Sequence, residues 1–284
     1  MEFLDSVLTT FVYLLITLVL LALGRLVFSL FHRKINIKDE LVEKDNLAFS
    51  VAHVGYFVGL ICVIGGAMVG PSHGLLTDSI DIAVYGLLGI ALLNITIRLN
   101  DLVILRKFKV RDEIIENQNV GTGVIEAASA IAAGLIIYGS ISGEDEGGII
   151  STILFWAAGQ VLMIITSYVY NAIVPYNIHD YIEKNNVAVG IGFAGAIIAI
   201  GNLIRHAVTG EFEHWSDIWY HVAYDAAIAL ILLPIARILC DKLLLPGRNL
   251  TDELINQEKP NTGAAFIEAF SYIGGSMLIA WSLG

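Results

Sequence analysis

Six ionisable side chains stand inside otherwise apolar stretches of this sequence, and their spacing places them at a similar depth. They are Arg25, His53, Arg98, Glu126, Arg237 and Glu268. Each arginine precedes an Asp-headed polar segment by 14 or 15 residues, and each His or Glu follows an Asn by seven residues. At the helical rise of 1.5 Å per residue, this spacing places the His and Glu groups roughly 10–12 Å inside their helices.

Charges at that depth in a membrane are expected to pair, because an isolated one costs about 2.5–3.5 kcal/mol even on a lenient insertion scale. We expect Arg98 to meet Glu126, Arg237 to meet Glu268, and Arg25 to lie near His53. Two interpretations stay open. The six residues form a polar path or binding site on the axis of a helix bundle, or the ion pairs fix helix register while Arg25 extends toward the headgroups.

A second polar group is predicted toward the opposite membrane surface. Its members are Asp81, Tyr85, Arg205, His206, His221 and Asp225. Such residues can relay protons or line an ion pathway, or they can be helix-end residues solvated at the interface. Asn94, Asn100, Asp101 and Asn202 add further intramembrane polarity. No HxH, HxxxH or CxxC spacing occurs, so we expect no metal site.

The elements that carry these groups are predicted to be eight transmembrane helices. Hydrophobic residues make up 56% of the 284 residues and charged residues only 15%, whereas soluble domains carry about a quarter charged residues. A helix needs about 20 apolar residues to cross a bilayer. The apolar runs are 14–30, 47–69, 80–105, 120–141, 149–174, 187–208, 218–245 and 263–283.

The distribution of basic residues predicts the orientation of the chain. Eleven of the 16 Lys and Arg lie outside the apolar runs and Lys242 lies near the end of one, and all twelve fall at alternate connections between the runs. By the positive-inside rule these segments are cytoplasmic, and both chain ends lie outside the cytoplasm. Residues 1–24 lack the basic start of a signal peptide. We therefore expect a multi-pass protein of the bacterial inner membrane.

The four basic segments resemble one another, which predicts internal repeats. They read KDELVEKDNLA (38–48), RDEIIENQNVG (111–121), HDYIEKNNVAV (179–189) and TDELINQEKPNTGAA (251–265). The motif residues are Asp39, Glu40, Asn46, Asp112, Glu113, Asn119, Asp180, Asn186, Asp252, Glu253 and Asn261. We expect an all-α membrane fold of four parallel helix-hairpin repeats of about 70 residues, grouped as two four-helix halves, 1–143 and 144–284.

Local signals within each segment predict helix caps and a packing layer. The leading Asp is expected to N-cap a short helix, and the Asn to cap the helix that enters the membrane. The second helix of each unit is rich in Gly and Ala, which let helices approach closely in lipid. We therefore expect these helices to form the inner layer and the Leu- and Ile-rich first helices to face lipid.

The chain resembles domain-of-unknown-function family 350, the YjfL-type bacterial inner-membrane proteins. The resemblance rests on the loop DELVEKDNLA (39–48), the related NNVA (185–188) and the Glu-Ala pairs 126–127 and 268–269. Members are four-helix membrane proteins, so the resemblance implies two copies fused in tandem over nearly the whole chain. It implies no activity. The third segment departs most, because Tyr181 replaces the loop Glu and Phe193 stands where the other helices carry His or Glu.

Two hypotheses for the function follow. The first is a channel- or transporter-like protein for a small ion or polar solute. The second is a membrane scaffold or envelope-stress component whose cytoplasmic segments dock a soluble partner. No GxxxxGK[ST], GxSxG or HExxH motif occurs and no GxGxxG follows a strand, so neither an enzyme nor a cofactor is expected. The expected partner is the lipid bilayer, with no nucleic acid, and a homo-oligomer and a soluble cytoplasmic partner both stay open.

Overall fold

The computed structural model describes residues 2–70, 72–107, 109–142, 148–209, 215–245 and 247–283. Side chains are described throughout these ranges except at 2–5, 215–218, 221 and 229. Within them the protein is all-α. The helices are α1 (Glu2–Phe31), α2 (Leu47–Met68), α3 (Leu75–Val103), α4 (Val110–Ile115), α5 (Val120–Ser142), α6 (Gly148–Ile173), α7 (Ile178–Glu183), α8 (Val187–Val208), α9 (Trp215–Leu239), α10 (Leu250–Ile255) and α11 (Thr262–Leu283). Two π-helical turns occupy Asp39–Glu43 and Cys240–Leu244.

Eight helices of the described chain are long and apolar enough to cross a membrane. They are α1, α2, α3, α5, α6, α8, α9 with its π-helical continuation, and α11. The predicted all-α membrane fold is therefore confirmed. The first π-helical turn and the short helices α4, α7 and α10 connect the membrane helices at one end of the bundle, which we call the motif face.

The membrane helices form an inner row of four, α2, α5, α8 and α11 in that order, with α1, α3, α6 and α9 packed outside it. Small residues make this row possible, as expected. A Cβ atom added to Gly59 would lie 2.3 Å from the Ala130 carbonyl oxygen, and one added to Gly190 would lie 2.8 Å from the backbone of Gly121. The backbones of neighbouring inner helices are thus in direct contact, which fixes their relative depth.

The motif asparagines cap all four inner helices, and three of them join neighbouring loops. The Asn119 side chain accepts a hydrogen bond from Thr122 N (3.0 Å), which caps α5 as predicted. Its amide also donates to the Glu113 carboxylate (2.9 Å) and to the Ile182 carbonyl of α7 (2.7 Å). Each such link therefore connects one loop to the next along the row.

The same inter-loop bond recurs on either side of Asn119. Asn46 donates to the Ile114 carbonyl (2.9 Å), and Asn186 donates to the Leu254 carbonyl (3.0 Å). Asn261 lies at the open end of the row; it is exposed, caps α11 through Ala264 N and bonds only within its own loop, to Glu253. We name these bonds the asparagine ladder. The arrangement as four parallel repeats stays a prediction.

One local prediction is wrong. The leading Asp residues do not N-cap the short helices, because each lies inside the first turn. Asn177 caps α7 and Asn249 caps α10, while Lys109 precedes α4 without a side-chain cap. Inside the first turn, the Asp carboxylates still interact favourably with the positive end of the helix dipole.

Candidate functional site

The predicted Arg237–Glu268 ion pair is present between α9 and α11. The Arg237 Nη1 donates to Glu268 Oε1. The hydroxyl groups of Tyr170 and Tyr272 each donate to the same oxygen over 3.3 Å. The second oxygen, Oε2, packs so tightly on α8 that a Cβ atom on Gly192 would lie 2.3 Å from it. Glu268 is fully buried, so this arrangement leaves no room for a ligand.

Arg237 is equally engaged on its other side. Its Nη2 donates to the Thr251 hydroxyl (3.1 Å), and its guanidinium lies 5.9 Å from the centroid of the Tyr176 ring. Arginine presents five N–H donors, and here they are directed to a carboxylate, a hydroxyl and an aromatic face. We call this group of residues the closed clamp. It is suited to fixing the register of α9 against α11.

The related carboxylate of the first half, Glu126, has different surroundings. Its neighbour is Asp101 of α3, and the two carboxyl groups are close enough to share a hydrogen bond. Such a bond needs one proton between the two acids, because a carboxylate is an acceptor only. Glu126 Oε2 and Asp101 Oδ1 are buried and have no hydrogen-bond partner in the described structure. This acid pair therefore has unused hydrogen-bonding capacity.

Arg98 lies near the acid pair but does not form the expected ion pair with Glu126. Its Nη2 donates to the Phe31 carbonyl at the end of α1 (2.8 Å), and the residue is exposed. Among the described residues no carboxylate lies within ion-pair distance of Arg98, although its charge acts on both Asp101 and Glu126. The arginine is tied to α1, which leaves most of its donors available.

Arg25 and His53 are not brought together by a hydrogen bond in the described chain. Arg25 is exposed on α1. His53 is buried in an aromatic cluster, with its ring centroid 4.8 Å from that of Phe28 and 5.3 Å from that of Phe49. Its Nδ1 atom has no hydrogen-bond partner. His53 thus behaves as a packed core residue of the first half.

A cavity of about 380 Å³ lies between the acid pair and the motif face. Its walls come from α1, α2, α3, α4 and α5 and from the loop after α1. Its polar lining consists of His32, Arg33, Lys34, Arg98, Asp101, Arg111 and Glu126. Of these, Arg33, Lys34, Arg98 and Arg111 are exposed. The cavity therefore connects the buried acid pair to the motif face, and its size falls in the range of small-molecule sites.

His32 lies at this cavity beside two of the arginines. Burial lowers the pKa of His32, and the nearby charges of Arg98 and Arg111 lower it further, against a hydrogen bond to the Phe28 carbonyl (2.9 Å) that raises it. At neutral pH this imidazole is therefore uncharged.

The predicted outer group is not assembled into one cluster by the described contacts. Asp81 and Tyr85 lie together on α3. Arg205 on α8 donates to Asn202 (3.3 Å) and lies over the Tyr138 ring (5.6 Å). No hydrogen bond or ion pair of the described residues joins the α3 pair to Arg205 or to its neighbour His206. Asp225 is buried on α9, and the side chain of His221 lies outside the described residues.

The motif residues divide into buried and accessible sets. The buried ones are Glu40, Asn46, Glu113, Asn119 and Asn186. Asp39, Asp112 and Glu253 are half-buried, and Asp180, Asp252 and Asn261 are exposed. Burial alone would raise the pKa of Glu40, but hydrogen bonds from Lys44 and Asn46 outweigh it and hold the pKa below its usual value. The buried set thus stabilises the loops from inside.

Sequence reasoning predicted Arg237 beside Glu268 but missed Asp101 beside Glu126 and the two tyrosines at Glu268. In the sequence Asp101 counts only as one more polar residue inside an apolar run. It stands three residues after Arg98, however, and this spacing puts both on one helix face. Tyr272 stands four residues after Glu268, so the same rule indicates their contact. Tyr170 carries no local signal, because it reaches Glu268 across 98 positions of sequence.

Comparisons with known proteins agree with this architecture. The family model described as Domain of Unknown Function (DUF350) matches the chain twice, at residues 2–141 and 146–283. A relative described as "UPF0719 transmembrane protein", from Aquifex aeolicus (strain VF5), is 22% identical over 255 residues, which cover 83% of this chain and 92% of the relative. No solved structure matches the chain.

Proposed function

The chain belongs to the DUF350 family, and on the geometry of its first half we propose that it is a channel- or transporter-like protein for a small polar solute or ion. The observation that carries this proposal is the contrast between two related glutamates. Each glutamate keeps one buried oxygen without a hydrogen-bond partner in the described structure. Glu268 is enclosed by Arg237, two tyrosines and α8, whereas Glu126 lines a cavity.

Ionisable groups inside membrane proteins are rare because burying them costs free energy. Those that occur usually mark a pathway or a binding site. The closed clamp has a structural use, which is to hold α9 and α11. The acid pair of Asp101 and Glu126 has no basic partner within ion-pair distance in the described structure. Both acids also keep a buried oxygen without a hydrogen-bond partner, which destabilises the fold. Because no ion pair offsets this loss of stability, the acid pair is more consistent with a functional role than with a structural one.

We further propose that the motif face is cytoplasmic and that both chain ends lie on the other side of a bacterial inner membrane. The concentration of basic residues on the motif face supports this orientation. A reporter enzyme that is active only outside the cytoplasm, fused after residue 284, is expected to be active. Fluorescence from a reporter that fluoresces only in the cytoplasm, fused at the same position, would reverse the assignment.

Flux through the purified protein in proteoliposomes tests the transport proposal. Proton movement is followed with a trapped pH-sensitive dye, in buffers that contain chloride, phosphate or potassium in turn. We expect flux from the wild type, and its loss in the double variant Asp101→Asn/Glu126→Gln. The control is Glu183→Gln, which neutralises an exposed acid at the end of α7. Flux equal in the double variant and the wild type would refute the assignment of the site.

The alternative is a scaffold whose motif segments dock a soluble partner. Its predicted contacts are Glu40, Glu113 and Glu253, but the first two carboxylates are buried and bonded to Asn46 and Asn119. This burial favours transport over docking through the motif glutamates. Charge reversal at the exposed Asp180 and Asp252 provides the test: a partner captured from lysate by the wild type and lost in this variant, together with absent flux, would support the scaffold.

A further inference from the structure

We propose that the cavity of the first half binds a small anion, through a phosphate or carboxylate group held by Arg98 and Arg111 at its mouth. The inference rests on the proposed function and names the chemistry of the ligand. Arg33, Lys34, Arg98 and Arg111 all line this one cavity. None of the four forms an ion pair with a carboxylate in the described part of the chain.

Five other basic residues on the motif face are paired with acids. Lys38, Lys44, Lys107, Lys109 and Arg248 each lie 2.5–3.9 Å from a carboxylate oxygen. Four more have no ion pair in the described structure but do not line this cavity, namely Arg106, Lys184, Lys242 and Lys259. Positive charge on this face is expected for any membrane protein, but here four basic side chains without an ion pair in the described chain line one cavity. Clustered like charges repel one another, and a bound anion relieves that repulsion.

The charge balance inside the cavity also favours an anion. Asp101 and Glu126 are adjacent carboxyl groups, and such a pair shares a proton because like charges disfavour double ionisation. Together they contribute a single negative charge. Four basic side chains oppose it, while His32 is uncharged. The cavity thus carries an excess of positive charge, and the protonated acid at its inner end can donate a hydrogen bond.

The second half of the chain serves as an internal control for this interpretation. Thr251 precedes Asp252 at the position where Arg111 precedes Asp112. Residues 174–177, which follow α6 as Arg33 and Lys34 follow α1, contain no basic residue. Arg237, the counterpart of Arg98, donates hydrogen bonds to Glu268 and Thr251. The shared scaffold therefore carries the basic mouth in one half only.

Guanidinium groups match phosphate and carboxylate geometry, since their planar N–H donors can bind two oxygens at once. Apolar side chains, among them Phe31, Ile35 and Ile115, form the remaining walls and strengthen electrostatic contacts by excluding water. Two sources can supply the anionic group, a soluble metabolite-sized anion or the headgroup of an anionic lipid at the membrane surface.

The test uses the full chain in nanodiscs of phosphatidylcholine, titrated with inorganic phosphate and, separately, with succinate. In a second arm, native mass spectrometry compares retention of phosphatidylglycerol with that of phosphatidylcholine. We expect one arm to show selective binding, which identifies the source. In Arg98→Gln/Arg111→Gln that binding falls by about tenfold or more, because charge-assisted hydrogen bonds are lost.

The control is Lys184→Gln/Lys259→Gln, which removes the same charge from exposed positions of the same face outside the cavity. Arg111→Gln alone, at an exposed position, replaces the double variant if that variant does not fold. Absence of selective binding in both arms, or an equal loss in the control, would overturn the inference. Anion binding without flux would remove the transport proposal and leave the site, whereas flux without anion binding would remove the site alone.

Discussion

Arg237 and Glu268 form a buried ion pair that joins α9 to α11, and two tyrosine hydroxyl groups donate to the same carboxylate oxygen. In the first half, the counterparts Arg98 and Glu126 are separated: the arginine binds the end of α1 and the glutamate binds Asp101. The two related halves therefore differ in this feature. In the second half the ion pair joins two helices, whereas in the first half the separated residues line a cavity.

The closed clamp should depend on its tyrosines. Tyr272→Phe removes one hydrogen bond to the buried Glu268 carboxylate and is expected to cost about 1–3 kcal/mol, as for bonds to charged groups. Thermal unfolding in detergent should show a lower Tm. Tyr168→Phe, at an exposed position of α6, is the matched control and should leave Tm unchanged. Equal Tm values for both variants would contradict a clamp role.

The asparagine ladder predicts unequal effects at the four motif asparagines. Asn119→Ala removes the cap of α5 and the bonds to Glu113 and to the Ile182 carbonyl, so a loss of about 2–4 kcal/mol is expected. Asn261→Ala removes a cap and one bond within its own loop at an exposed position. The Tm of the Asn261 variant should therefore fall less, and the reverse order would count against the ladder.

The close contacts of the inner row predict a sharp difference between two glycines of α2. In Gly59→Ala the new methyl group would lie 2.3 Å from the Ala130 carbonyl oxygen, so α2 and α5 must separate. In Gly65→Ala the nearest atom, on the Tyr138 ring, is 3.7 Å away. We expect a clear fall in Tm for Gly59→Ala and little change for Gly65→Ala. Equal tolerance of both would show that the row is not closely packed there.

Glu40 makes stability depend on pH in a defined direction. Its pKa is lowered in the folded protein, because hydrogen bonds from Lys44 and Asn46 outweigh burial. The folded state thus favours the carboxylate, and this contribution is present above the usual glutamate range and lost as pH falls through the lowered pKa. Glu40→Gln should be less stable than the wild type at pH 7, and the difference should shrink toward about pH 3.

The exposed Glu116→Gln serves as the control for the pH series. Its unfolding curve should track that of the wild type at every pH, since the carboxylate has no ion pair in the described structure. A gap between the wild type and Glu40→Gln that stays constant from pH 7 to about 3 would contradict the account of the loop.

Much of this architecture could be predicted from the sequence, because each feature has a local cause. Hydropathy marks the membrane helices, and the position of Asn119 before an apolar run indicates a helix cap. The spacing of Arg237 and Glu268 from their loops predicts that they meet. The predicted contact between Arg98 and Glu126 failed because equal depth does not fix the direction in which a long side chain extends, and the Phe31 carbonyl competes for it. Asp101 then takes the place of the arginine.

The inter-loop bonds of the ladder were beyond sequence reasoning for another reason. Asn119 reaches the Ile182 carbonyl over 63 positions, and a backbone carbonyl carries no residue-specific signal. Only the packing of α5 against α8 brings the two together. The cavity likewise arises from five elements whose side chains meet only in the assembled bundle.

The most direct test of the central claim compares the thermal unfolding of Glu126→Gln with that of Glu268→Gln. A glutamine at 268 leaves Arg237 buried without its counter-charge, which costs about 3–5 kcal/mol and lowers Tm by several degrees. A glutamine at 126 can donate its amide N–H to Asp101 and removes a carboxyl group with unused bonds, so Tm should stay unchanged or rise. A fall in Tm at 126 that equals or exceeds the fall at 268 would contradict the division into an open site and a closed clamp.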